Sequence, residues 1–221
     1  MKILLAFLFL LGGSAFPKEI KTSFASTLTV PADAPVVIID VGHGGTDIGA
    51  RTHQPYCEEK RICLQLARLV KKHLNQMGYR VVMTRDTDVF VSLAKRVEIA
   101  TQARGDLFVS VHCNSTRNPT AHGIEVFFHD NREDKAHGTA SRKLAESVLS
   151  RVIRRTEAVS RGVKKGNFYV IRETTMPAIL VESGFISNPA ERDLLRNREY
   201  QDKIARGIVD GVDSFFKKNH L

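Results

Sequence analysis

Apolar positions recur along the chain with two different periods, and the switching between them sets the expected architecture. The run Val36 to Ile39 is short, unbroken and β-branched, as in a strand covered on both faces of a sheet. From Glu59 to Met77 the residues Ile62, Leu66, Leu69, Val70, Leu74 and Met77 fall at helical spacing, and Gly78 stands where a helix C-terminus is capped. The segment YRVVMTR reads as a second strand. A helix from Ser92 to Arg104 follows, expected to bury Leu93, Val97, Ala100 and Ala103 and to close at Gly105. DLFVSVHCN and GIEVFFH are the next strands, and Ser141 to Arg155 is a helix with Leu144, Val148, Leu149 and Val152 on one side. NFYVIR and PAILVES read as further strands, the second of the buried type. A last helix, Tyr200 to Phe216, carries Ile204, Ile208, Val212 and Phe215.

Such alternation predicts an α/β fold: a single domain with an open, twisted, mostly parallel or mixed sheet and helices on both faces. A length of 221 residues suits one such domain and would cramp a second. A hydrophobic content of 43% with 26% charged residues argues against a disordered chain and against a multi-span membrane protein. No internal repeat or low-complexity segment interrupts the pattern.

The first residues follow another logic. MKILLAFLFLLGGSAF places one basic residue, Lys2, before an apolar run from Ile3 to Leu11 and then small residues. That is the layout of a secretory signal peptide, with cleavage expected after Ala15; the run is too short for a retained membrane anchor. Residues 16–35 lack a sustained period and read as an arm or linker, which leaves 36–217 as the folded domain. Secretion changes the meaning of the formal charge of +9. Clusters such as RVIRR and RGVKK would point to nucleic acid in a cytosolic protein. Across the inner membrane, most simply in the periplasm, the polyanions within reach are envelope polymers and acidic lipid surfaces. Nucleic acid is therefore not an expected partner. Three cysteines, Cys57, Cys63 and Cys113, are an odd number without CxxC spacing, and read as buried or idle thiols rather than zinc ligands.

Candidate chemistry collects at strand ends. His43 stands among Gly42, Gly44 and Gly45 just past the first strand, in a turn stripped of bulk. His112 ends DLFVSVH, and Glu182 follows AILV, where a carboxylate is costly without a partner charge or a metal. Glu59 opens the first long helix, beside Glu58; spacing alone separates neither these two nor Glu59 from Glu182 as a ligand. In an open α/β sheet, groups at the carboxyl ends of strands share one crevice. Two imidazoles and a carboxylate suit zinc, with a fourth position left for water. Of the remaining histidines, His53, His73, His122, His129 and His137 read as loop or helix-surface residues, with His122 and His129 as outside candidates for ligands or substrate contacts; His220 sits in a tail.

DVGHGGTDIGA, EEKRICLQLA, VMTRDTDVFVSLAKR, DLFVSVHCN, RGVKKGNFYVIRETTMPAILVESGFISNPAE and YQDKIARGIVDGVDSFF together resemble, in order from about Val36 to Phe216, the catalytic domain of zinc-dependent N-acetylmuramoyl-L-alanine amidases. The resemblance implies a zinc exopeptidase-like fold, one catalytic Zn2+ held by His43, Glu59 and His112, and Glu182 as the catalytic carboxylate. The family's Glu–Lys pair falls on Glu59 and Lys60. The implied reaction cuts the amide between N-acetylmuramic acid and L-alanine in peptidoglycan or muropeptides and releases stem peptides, in wall remodelling, daughter-cell separation or recycling. Glu182 would relay the proton in that hydrolysis. Val41 and Ile48 stand where the family usually has proline. Asp40 is a candidate to orient His43, and Asn114 a candidate at the rim. Some relatives carry a helical plug between the second histidine and the catalytic strand; here the helix at Ser141 to Arg155 accounts for most of that interval. An open site that needs no obligate activator is therefore expected. A zinc peptidase acting within the cross-links and a non-catalytic wall-binding module are the rival readings.

Overall fold

A computed structural model describes residues 31–131 and 134–219. The expected leader and most of the arm lie outside the described residues. Within them the order is β1 (Val36–Val41), β2 (Arg51–His53), β3 (Tyr56–Glu58), α1 (Glu59–Gln76), β4 (Arg80–Met83), α2 (Leu93–Gln102), β5 (Leu107–Asn114), β6 (Ile124–Phe128), α3 (Lys135–Thr156), β7 (Ser160–Lys165), α4 (Tyr169–Glu173), β8 (Ala178–Phe185), α5 (Pro189–Arg196) and α6 (Arg198–Asn219).

Six strands form one sheet in the order β4-β1-β5-β8-β6-β7, and β2 pairs with β3 in a small separate hairpin. β1 runs parallel to β4 and β5, and β5 parallel to β8; β6 is antiparallel to β8 and parallel to β7. The sheet is thus mixed, within the mostly parallel or mixed arrangement expected from the alternation of elements. Successive residues of β1 serve two cores. Val37, Ile39 and Val41 pack with Leu66, Val70, Val148 and Ile208 from α1, α3 and α6. Val36 and Ile38 pack with Ala100, Phe108, Val170 and Ile171 on the other face, under α2 and α4. This is why Val36 to Ile39 run apolar without a break: the period of two sends alternate side chains into layers that are both dry.

Five differences from the sequence expectations have physical causes. NFYVIR is not a strand: Tyr169–Glu173 is one turn of helix, α4, which buries Val170 and Ile171 while leaving Phe168 and Tyr169 exposed. Its aromatic and β-branched content favours strand locally, but burial in the second core decides. The sixth sheet position is filled instead by SRGVKK, a polar edge strand with no alternation to betray it. Leu93, expected to be buried by α2, is 53% exposed, and the helix buries Arg96 in its place. His73 and His137 are not surface residues; both are buried, His73 against Asp202 and His137 on the Met176 carbonyl. The helix α5, also unforeseen, has its own signal: Asn188 caps it by accepting from the Glu191 N–H, and Pro189 opens it.

Candidate metal centre and active site

The carboxyl ends of β1, β5 and β8 meet the first turn of α1 at one rim. β5 and β8 are in register there, with His112 opposite Glu182, so the two side chains share a face of the sheet. Glu59 returns to this rim because the loop after β1 is bonded to the start of α1: the Glu59 N–H donates to the Ala50 carbonyl and the Lys60 N–H to that of Ile48. The result is a cluster of three donors. His43 Nε2 and His112 Nδ1 each lie 3.0 Å from Glu59 Oε1, and one ligand atom from each residue falls within 4.8 Å of the others.

Small residues make this approach possible. A Cβ on Gly42 would stand 2.5 Å from the His112 ring, and one on Gly49 would stand 2.6 Å from the His43 ring and 2.7 Å from Glu59 Oε2. His43 itself is held at φ +58, a left-handed conformation uncommon for a residue with a side chain. Two buried arginines stabilise it. Arg96 donates to the carbonyls of Val41 and His43, to Asp40 Oδ1 at 2.9 Å and to Val91 at 3.0 Å. Arg85 donates to Val41, Gly42 and Lys60. Consecutive carbonyls of the histidine loop are therefore pinned by planar donor forks, which suits guanidinium better than any other side chain. Lys60 adds a further tie, donating to the Gly45 carbonyl and to Asp88. At Val41 the N–H donates to Thr84 Oγ1 at 3.0 Å, a bond that the proline usual at this position would forgo.

Asp40 does not touch His43. Its carboxylate is consumed by Arg96, Thr84 and Ser110 beneath the loop. Burial pushes its pKa up, but the Arg96 charge and the bonds from Ser110 and Arg96 outweigh burial and hold it below the usual range. The group that orients His43 is Asp47, four residues on: both of its oxygens lie 2.9 Å from His43 Nδ1. A donor on Nδ1 leaves the Nε2 lone pair facing Glu59, the arrangement by which a carboxylate sets the tautomer of a ligating imidazole. The spacing HxxxD was the available signal for it.

The donor set fits a zinc ion. Two atoms bound to one tetrahedral zinc at ~2.0–2.1 Å would be about 3.3 Å apart, close to the 3.0 Å that separates each imidazole nitrogen from Glu59 Oε1. Burial raises the Glu59 pKa, but the bonds and charges of His112 and His43 outweigh it and leave the carboxyl firmly ionised. For His43 burial lowers the pKa, and Glu59 and Asp47 more than reverse this. Glu58 points elsewhere, bonded to Tyr56 and Arg61, so of the two glutamates it is Glu59 that lies against the imidazoles.

Glu182 stands beside the cluster in the same cavity of about 470 Å³. Its Oε2 is buried and makes no hydrogen bond. Burial is the main cause raising its pKa to about 7; His112 pulls it down, while Glu59 and Glu125 push it up. A carboxyl poised near neutrality with an unoccupied oxygen is suited to taking up and giving back a proton. Asn114, the other rim candidate, donates to Glu125, which lies across from Glu182 in the β6–β8 ladder. His122 and His129 do not line this cavity and bond instead to the carbonyls of Thr120 and Gly166. The cysteines are all free and buried, their pKa values raised by burial at Cys57 and Cys63, and by Cys63 and burial at Cys113.

Comparison with known proteins agrees with the geometry. Residues 37–214 match the family model described as Amidase_3: N-acetylmuramoyl-L-alanine amidase. The chain is 39% identical over 186 residues to the uncharacterized protein YqiI of Bacillus subtilis, covering 84% of this chain and 87% of that one. It is 35% identical to N-acetylmuramoyl-L-alanine amidase LytC of the same organism, covering 90% of this chain but 39% of LytC. Among solved structures, an N-acetylmuramoyl-L-alanine amidase from Clostridium difficile 630 superposes with a TM-score of 0.79 at 37% identity, covering 84% of this chain and 98% of that one. The catalytic domain of CwlV from Bacillus (Paenibacillus) polymyxa var. colistinus gives 0.77 at 36% identity, covering 83% and 98%. The α/β domain is thus shared with solved N-acetylmuramoyl-L-alanine amidases. The chain belongs to the N-acetylmuramoyl-L-alanine amidase family.

Proposed function

We propose that this chain is a zinc-dependent hydrolase that cuts the amide between N-acetylmuramic acid and L-alanine in peptidoglycan. The observation that carries the reading is the convergence of two ring nitrogens on one Glu59 oxygen, beside a carboxyl whose own oxygen has no partner. His43, Glu59 and His112 would hold the ion. Zinc bound there supplies Lewis acidity, polarising a carbonyl and making water easier to deprotonate. Glu182 takes the proton from the attacking water at its unpaired oxygen and returns it to the departing L-alanine nitrogen. Asp47 keeps His43 in the tautomer that faces the cluster. The arginine forks hold the loop in place, so the site does not reorganise as charge develops.

The protein acts outside the cytoplasm on this reading, in keeping with the wall-directed family, and the expected leader would carry it to the periplasm. Among the described residues, no helix is long and apolar enough to cross a membrane. It works without an obligate activator. Supporting this, α3 packs on α6 and the sheet, and no residue of it lines the cavity. One solved relative, the CwlD amidase of Clostridioides difficile, was captured in complex with the GerS lipoprotein.

Metal analysis of the purified protein, paired with mass spectrometry of digested muropeptides, tests the proposal. Expected are about one zinc per chain, intact stem peptides freed from bare glycan, loss of release on chelation and its return with zinc. Trimmed peptides still attached to sugar would assign a peptidase instead. Binding without any release would leave a wall-binding module, and release only after a second protein is added would remove the claim of independence.

A further inference from the structure

Large apolar side chains left in water are a cost that folding alone does not explain when they gather in one place. Among the described residues, Phe90 (58% exposed), Leu93 (53%), Phe168 (39%) and Tyr169 (37%) all line the cavity that holds the His43–Glu59–His112 cluster. They form two lips from separate parts of the chain, one entering α2 and one entering α4. Both lips are braced from behind. The Phe90 backbone lies so close to Gly45 that a Cβ there would stand 2.5 Å from the Phe90 nitrogen, and Gly45 is bonded in turn to Asp88. The Phe168 ring packs edge-on against Phe127 at 5.1 Å and occupies space that a Cβ on Gly166 would enter, 2.8 Å away. The rings are therefore presented on rigid supports, with their outer surfaces free for a ligand.

We infer that these lips are the sugar subsite: they grip the muramyl ring of the glycan and thereby place its lactyl carbonyl over the donor cluster. The inference rests on the proposed reaction and adds which half of the substrate goes where. Its basis is charge. In the substrate the muramic carboxyl is tied up in the amide, so the sugar half is neutral, whereas the stem peptide ends in a free carboxylate. Arg96 is the one Arg or Lys among the described residues lining the cavity, and it is buried in the loop clamp. Nearby Arg172 lies over the Tyr169 ring at 5.5 Å but bonds to Glu173 and Asn167. A wall of apolar and aromatic surface, lined by no cation but the buried Arg96 among the described residues, suits the C–H face and acetamido methyl of a neutral sugar better than a peptide carboxylate.

The test compares the intact protein with Phe90→Ser, Phe168→Ser and Tyr169→Ser, substitutions at exposed positions. Zinc content and melting temperature are measured first for each. Amide shifts are then followed by NMR during titration with di-N-acetylchitobiose, an uncharged sugar probe, and separately with free stem tripeptide. We expect the sugar to shift the amides of Phe90, Leu93, Phe168 and Tyr169. Each substitution should weaken sugar binding, and raise KM for muropeptide more than it lowers kcat, by roughly three- to tenfold. Lips unmoved by the sugar, variants that bind it as tightly as the wild type, or lips that respond to the tripeptide instead would each overturn the assignment. Sugar binding that survives while no stem peptide is released would sink the amidase reading and leave the subsite standing, so the two failures are distinguishable.

Discussion

At the scale of single residues, the site depends on who occupies Glu59 Oε1 and who leaves Glu182 Oε2 alone. Glu182→Gln keeps the shape but removes the ionisable oxygen, so it should retain zinc while stem-peptide release drops by at least about a hundredfold. Metal analysis and a product assay on the same preparation check this, and a zinc-loaded, active variant contradicts the role. Gly42→Ala should lose metal instead, since its new methyl would meet the His112 ring; a chelator-competition titration reads the change. Arg96→Met strips the buried Asp40 of its partner and should cost about 3–5 kcal/mol in a denaturant titration. Arg96→Lys should recover only part, because an ammonium cannot span four acceptors with a planar fork. His43 and Glu182 were legible as single letters, one by its glycine bed and one by its greasy approach. Asp47 had only its four-residue spacing from His43 as a signal, and a solvent-exposed aspartate does not declare its role until the ring it faces is seen.

At the scale of elements, long periodic segments were readable and short ones were not. α1 and α6 follow the helical pattern because each buries one stripe against the first core. α4 defied the pattern, since five residues are too few for a period to show and YVIR has strand-like content. The cost of misreading it is functional, because its first turn carries Phe168 and Tyr169 at the cavity mouth. Two glycines on α6 set the closeness of α3 and α6. A Cβ on Gly211 would stand 2.4 Å from the Val148 Cα, and one on Gly207 2.5 Å from that of Val152. Gly211→Ala should therefore destabilise by about 1–3 kcal/mol through overpacking, despite alanine's better helix propensity. Equilibrium unfolding measures the sign directly; a more stable variant would mean the helices can separate at little cost.

At the scale of the whole molecule, three buried or partly buried carboxylates tie distant parts together and set its response to acid. Burial raises each of them, but Arg96 and Ser110 at Asp40, Lys164 and Arg161 at Glu125, and Arg206 and His73 at Asp202 outweigh it, so all three lie below the ordinary carboxylate range. In the folded state they release protons that the unfolded chain still holds. Their contribution is complete above the unfolded values of about 4 and is lost as pH falls through the lower folded values. Melting temperature should therefore drop steeply below about pH 4, and Glu125→Gln should flatten part of that slope. The sequence by itself determined the alternation of strand and helix, the buried character of β1 and β8, and the residue types able to bind a metal, because these follow from local period and from the chemistry of single side chains. Only the tertiary structure decided that Glu59 rather than Glu58 joins the histidines, that a polar strand closes the sheet edge, and that α4 turns its aromatic residues toward the cavity. Those outcomes depend on contacts between segments far apart in the chain, where packing and electrostatic pairing outweigh whatever each segment prefers alone.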